Sequence, residues 1–242
     1  MKEIIIIIII FIVFYILNNI NFVKNFNFYK KENVILLTMC VNTVKNNSYK
    51  DQQYRINLYK NTINKYLKNT NLNIFIIESS NNQELKNLYK NNNRINIHTF
   101  DLINKYDIYS YYKSKERLST ICELFSLKEA YNVFNLNQYN FILKITGRYY
   151  IPNIEYIIKN LNNYYTFYIQ YRNLGDDIFG SELFIFKSYM FNKILNYTLK
   201  YNLILEKSIT NLCSQYKYSK LSKIKLENNI YRGGDKIKIK YL

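Results

Sequence analysis

The chain has 242 residues, with 34 Lys and Arg against 17 Asp and Glu, a net charge of +17, one His, three Cys, one Pro, five Gly and no Trp. Apolar residues at 48% and aromatic residues at 17% exclude a disordered chain, and this length holds one full core rather than two large ones. Cys40, Cys122 and Cys213 are scattered and His98 stands alone, which excludes a disulfide framework and most zinc sites.

Ile4 to Leu17 is an unbroken apolar run, preceded by Lys2 and followed by Asn18, Asn19 and Asn21. A helix over the strict run covers about 21 Å, and extension to Val23 just reaches across a hydrocarbon core of about 30 Å. Nothing from Tyr15 to Lys31 is small enough for a signal-peptidase site. Residues 1–23 are therefore expected to be an uncleaved signal-anchor, residues 24–32 a stem, and residues 33–242 one domain. The expectation is a single-pass membrane protein with that domain in the secretory lumen. Lys24, Lys30 and Lys31 after the run, against Lys2 before it, weigh the other way.

From Val34 onward the pattern alternates. Val34–Met39 is a continuous apolar run, as a buried parallel strand requires. Tyr54–Lys68 repeats apolar residues at helical spacing, Asn73–Ile77 forms a second strand, and Glu78-Ser79-Ser80-Asn81 is a loop and capping signature. A short helix at Gln83–Lys90 and a third strand at Arg94–Thr99 follow. After a looser Tyr-rich stretch (100–113) come a long helix at Lys115–Phe134 and a fourth strand at Phe141–Ile145. Pro152 opens a predicted helix to Leu161, because proline suits a first helical turn. Strands at Thr166–Gln170 and Glu182–Phe186 and helices at Ser188–Tyr201 and Glu206–Tyr216 lead into a basic tail. Such alternation predicts an α/β fold with a mainly parallel sheet.

The chain is rich in Ile, Asn, Lys, Tyr and Phe, and Ala130 is its one alanine, which points to an A/T-rich genome. Much of the lysine excess then reflects drift onto solvated faces. Residues that such a genome tends to lose mark places where their chemistry is needed. They cluster at Thr146-Gly147-Arg148, with Pro152 close by, and at Arg232-Gly233-Gly234.

Ligands of open α/β sheets bind beyond the carboxyl ends of the strands. Here the fourth strand ends in Lys144-Ile145-Thr146-Gly147-Arg148, whose alternate residues can share one face, with Gly147 allowing close backbone approach. Two cations beside a hydroxyl suit a diphosphate. An ordinary strand end with solvated basic residues is the competing reading.

In their order these segments resemble the nucleotide-sugar glycosyltransferases of the GT-A fold. The matching residues are Val34 to Asn42, Arg55 to Leu67, Ile76 to Ser80, Lys115 to Ala130, Leu143 to Tyr149, Gly180 to Phe186 and Leu205 to Ile209. The resemblance implies a GT-A-like sheet, a nucleotide-sugar donor and a glycan or protein acceptor. Typical members carry Asp-x-Asp at the end of the fourth strand, where a divalent cation bridges the donor diphosphate. No Asp-x-Asp occurs in this sequence. The implied variant is metal-free, with Lys144, Thr146, Gly147 and Arg148 at the diphosphate; Asp176 and Asp177 are the alternative place for a cation. Glu206 is the candidate base for an acceptor hydroxyl, or a carboxylate that merely suits a first helical turn. Asn42 is a candidate base or ribose contact. Glu78 and Arg55 would lie near the nucleoside, and Arg232 would return over the phosphates. Each of these has a capping or surface role as its alternative. Two further readings are an inactive relative serving as a membrane-anchored structural protein and a nucleic-acid-binding protein. The second suffers from basic residues that are scattered singly, without a block.

Overall fold

The central strand, β1 (Val34–Met39), is buried along its whole length and pairs in parallel with β2 (Asn73–Glu78) on one side and β4 (Phe141–Thr146) on the other. This computed structural model describes residues 32–42, 48–111, 118–170, 180, 182–221, 225–231 and 238–241. The expected signal-anchor and stem up to Lys31, the Asp176-Asp177 pair and Arg232 lie outside the described residues. Among the described residues, no helix is long and apolar enough to cross a membrane.

A parallel neighbour reaches β1 only by crossing over a face, and each crossover lays down a helix. The described helices are α1 (Tyr49–Asn69), α2 (Glu84–Tyr89), α3 (Leu102–Lys105), α4 (Ile108–Tyr111), α5 (Leu118–Val133), α6 (Ile154–Lys159), α7 (Phe191–Tyr201) and α8 (Leu205–Cys213). With β3 (Ile95–Thr99), β5 (Phe167–Gln170), β6 (Leu183–Lys187) and β7 (Tyr218–Leu221), the sheet has seven strands in the order β3-β2-β1-β4-β6-β5-β7. All of its pairings are parallel except those of β6, which runs against both β4 and β5. A separate antiparallel pair joins β8 (Lys225–Tyr231) to β9 (Lys238–Tyr241).

Alternation along the strands divides the core in two. Leu36, Phe75, Ile142 and Phe184 pack under α5, α7 and α8, whereas Ile35, Leu37, Ile76 and Leu143 pack under α1, α2 and α6. The α/β architecture with a mainly parallel sheet, expected from the sequence, is the one observed.

Local details differ from the expectation. α1 starts at Tyr49 because Ser48 caps it by accepting from the Asp51 amide, ahead of the first apolar repeat. The Tyr-rich stretch contains α3, capped by Asp101, and α4. Pro152 lies in the turn before α6 rather than in its first turn. The start of the basic tail is β7, an edge strand, which alternation alone could not reveal because it is largely exposed.

The Glu129 side chain of α5 is fully buried, yet it fastens three elements. Its Oε1 accepts from Lys105 Nζ at 2.7 Å and lies 3.0 Å from His98 Nε2, while Oε2 accepts from the Tyr106 hydroxyl at 2.8 Å. His98 is thereby a partner of a buried carboxylate, in keeping with a structural reading. Burial opposes the charge of Glu129. Hydrogen bonds from Lys105 and Tyr106, with the charges of Lys105 and His98, override it and hold the carboxyl below its ordinary value of 4.5. A depressed folded value stabilises the fold above the unfolded value and is lost as pH falls through the folded one. Glu129→Gln should cost about 1–3 kcal/mol at neutral pH, and chemical denaturation should show a smaller loss of stability below about pH 4.5 than in the wild type.

Candidate functional site

The sheet order reverses between β1 and β4. The chain travels outward through β2 and β3, then returns to the other side of β1, and the carboxyl ends at such a switch point are where open α/β sheets bind ligands. Two segments flank it: Cys40–Asn42 after β1 and Gly147-Arg148 after β4.

The β1 segment is held by a buried carboxylate. Glu78, at the end of β2, has no exposed surface. Its Oε1 accepts from the amides of Val41 at 3.0 Å and Ser80 at 3.1 Å, and Oε2 accepts from the Asn82 amide at 2.7 Å. Asn81 makes this geometry reachable by adopting the left-handed conformation, φ 55°, which asparagine tolerates. The Ser80 hydroxyl, itself donating to Glu78, also accepts from the Val41 and Asn42 amides. Burial pushes the carboxyl up, while hydrogen bonds from Ser80, Val41 and Asn82 pull the other way. Glu78, expected near the nucleoside, uses its oxygens to clasp one loop to the next.

Arg55 reaches the same loop from α1, donating to the Cys40 carbonyl at 3.2 Å. Tyr59 donates to that carbonyl at 3.0 Å. Burial and the nearby Glu78 push the Cys40 thiol up to about 11, so it is no nucleophile. Asn42 is half-buried, its amide fixed by Ser80, and its Oδ1 is a buried acceptor without a hydrogen-bond partner.

The β4 end differs from the expected pair of cations. Lys144 has no exposed surface, and its Nζ forms an ion pair with Glu123 Oε1 of α5. The same ammonium lies 5.6 Å from the centre of the Phe184 ring, and the Thr38 and Thr146 hydroxyls are each 3.4 Å from Glu123 Oε1. Lys144 is thus a buried, compensated charge rather than a free phosphate anchor. Glu123 is the site residue that sequence reasoning missed. The signal was a carboxylate set between Cys122 and Leu124, on the stretch of the helix where Ile121, Leu124 and Phe125 are buried.

Gly147 packs tightly against β1. A Cβ there would collide with Met39 Cγ and lie 2.8 Å from Met39 Cε and 3.1 Å from the Thr38 carbonyl. Its amide donates to that carbonyl at 2.9 Å. This close approach is to β1. Tyr66 of α1 then fixes the turn, donating to the Tyr149 carbonyl at 3.0 Å.

Arg148 remains. Its guanidinium lies 5.0 Å from the centre of the Tyr149 ring, and its Nε has no hydrogen-bond partner. Burial disfavours its charge, but Tyr149, Tyr59 and Glu123 outweigh this and raise the guanidinium above its ordinary value. Arg148, Tyr59 and Arg55 thus converge around the β1 segment. Glu206 stands half-buried in the first turn of α8. Glu182, buried before β6, meets Thr146 by accepting its amide on the backbone oxygen at 2.9 Å.

Among the described residues, which do not include Asp176 and Asp177, no group of three or more His, Cys, Asp or Glu side chains could hold a metal.

No family model matches the chain, and no curated protein matches it. Solved structures with a similar course of chain include the glycosyltransferase GlyE of Streptococcus pneumoniae, at 12% identity and a TM-score of 0.49 over 79% of this chain. A cytidylyltransferase of Leptospira borgpetersenii is similar at 13% identity and a TM-score of 0.47 over 79% of this chain and 76% of its own. The chain spans 46% of the pneumococcal structure, under half of its length.

Glu123→Leu removes the carboxylate from a buried ammonium and should destabilise the fold by about 3 kcal/mol, while Glu123→Leu/Lys144→Met should regain most of the loss in a denaturant titration. Gly147→Ala should cost about 1–3 kcal/mol through overpacking, partly relieved by adding Met39→Ala.

Proposed function

We propose that the chain is a glycosyltransferase that binds a nucleoside-diphosphate sugar at the β1/β4 crevice and passes the sugar to an acceptor hydroxyl. The observation that carries this reading is Arg148. It is a partly buried guanidinium with an unpartnered Nε just after β4, and Asn42, just after the adjacent β1, carries an orphaned amide acceptor. A cationic fork and an amide acceptor after adjacent strands suit a diphosphate joined to a nucleoside.

In the proposed reaction, the bond from the anomeric carbon to the diphosphate oxygen breaks and a bond to the acceptor oxygen forms. The acceptor proton passes to a carboxylate, for which Glu206 is the candidate. Arg148 takes up the charge that develops on the leaving diphosphate, a role that needs no resident metal. Thr146 and the compensated Lys144–Glu123 pair shape the floor of the crevice, and Arg55 keeps the β1 segment in place. The two remaining candidates, Arg232 over the phosphates and Asp176-Asp177 as a cation site, stay part of the proposal as alternatives to be separated by experiment.

Calorimetry with a panel of nucleoside-diphosphate sugars provides the test. Arg148→Ala should weaken donor binding about ten- to a hundredfold, the equivalent of roughly 1.5–3 kcal/mol for a charge-assisted contact. Arg148→Lys should recover part of the loss, because an ammonium lacks the fork. EDTA should leave wild-type binding unchanged. Binding abolished by EDTA and indifferent to Arg148→Ala would overturn the reading and direct attention to Asp176 and Asp177.

A further inference from the structure

Glu123 reaches from α5 to the carboxyl ends of the two central parallel strands. Thr38 of β1 and Thr146 of β4 are register partners there, and the hydroxyl of each lies 3.4 Å from Glu123 Oε1. Lys144, two residues earlier on β4 and so one pleat deeper, pairs with the same oxygen. Cys122 precedes Glu123 on α5, and burial together with the charge of nearby Cys40 pushes its thiol up to about 11. The first half of α5 is thus fastened beside the residues that leave β1 and β4.

The ion pair is buried unequally. The Lys144 side chain has no exposed surface, whereas that of Glu123 keeps 16%. Among the described residues, the hydrogen bonds to this carboxylate all fall on Oε1, and none reaches Oε2. The ammonium takes the deep side of the carboxylate, so the exposed part lies toward the strand ends.

A fixed carboxylate with an open oxygen repels a phosphate and attracts hydroxyls. Charge-assisted hydrogen bonds from O–H donors are stronger than neutral ones. Arg148, two residues past Thr146, is near enough to sense the Glu123 charge and offers the opposite chemistry. A cation and a carboxylate beside one pair of strand ends match the two parts of a sugar nucleotide, an anionic diphosphate and a neutral polyol. With Oε1 tied to Lys144, the side chain has little freedom left to lose on binding.

We propose that Glu123 is the sugar-recognition residue of the donor site, with Oε2 accepting from a hydroxyl of the sugar to be transferred. The inference rests on the nucleotide-sugar reading of the site and extends it by assigning the group that selects the sugar.

Calorimetry with matched ligands tests it: UDP-glucose, UDP-galactose and GDP-mannose, each against UDP or GDP, which keep the diphosphate and lack the sugar. Glu123→Gln retains an acceptor for Lys144 but presents an uncharged amide to the ligand. It should weaken binding of the sugar nucleotide about tenfold, the difference between a charge-assisted and a neutral hydrogen bond. Binding of the sugarless diphosphate should stay unchanged or tighten, because a repelling charge is gone. Glu123→Asp keeps the charge beside Lys144 but withdraws the carboxylate, and it should show the same selective loss. Denaturation midpoints of both variants separate a folding defect from lost recognition. Equal weakening of both ligands reduces Glu123 to a structural residue and overturns the assignment, as does unchanged binding of both. A wild type that binds none of these sugar nucleotides sinks the donor site and the assignment together. Sugar-nucleotide binding that depends on Arg148 but not on Glu123 sinks the assignment alone.

Discussion

β1 is bonded to a parallel strand on each side and roofed by helices on both faces, so none of its six residues can be polar and exposed. This constraint fixes the rest. Parallel partners demand crossovers, crossovers demand helices, and a return from β3 across β1 to β4 leaves the crevice where the order reverses. The packing is close enough to favour glycine after β4, because a side chain there would meet Met39 and the Thr38 carbonyl.

Two buried carboxylates, Glu78 and Glu129, and the half-buried Glu123 are each stabilised differently. Glu78 is surrounded by amide donors and a hydroxyl, Glu123 by an ammonium and hydroxyls, and Glu129 by an ammonium, a phenol and an imidazole. A buried charge without such partners would be costly. Glu78 and Lys144 spend polar atoms on these partners, whereas the buried Nε of Arg148 at the switch point has no hydrogen-bond partner.

Much was legible in the residues alone. The apolar runs at Val34–Met39 and Phe141–Ile145 could only be buried strands, and alternation with amphipathic helices determined the α/β class and the edge that carries the crevice. Arg148 stood out for its scarcity beside a glycine. The partner of Lys144 was not legible, because Glu123 comes from a helix 21 residues earlier and its contact exists only after the helix packs on the sheet. The clasp of Glu78, the contact of Gly147 with β1 and the edge strand β7 were hidden for the same reason. Sequence pattern determines which surfaces must be buried, but only packing decides which polar groups meet across them.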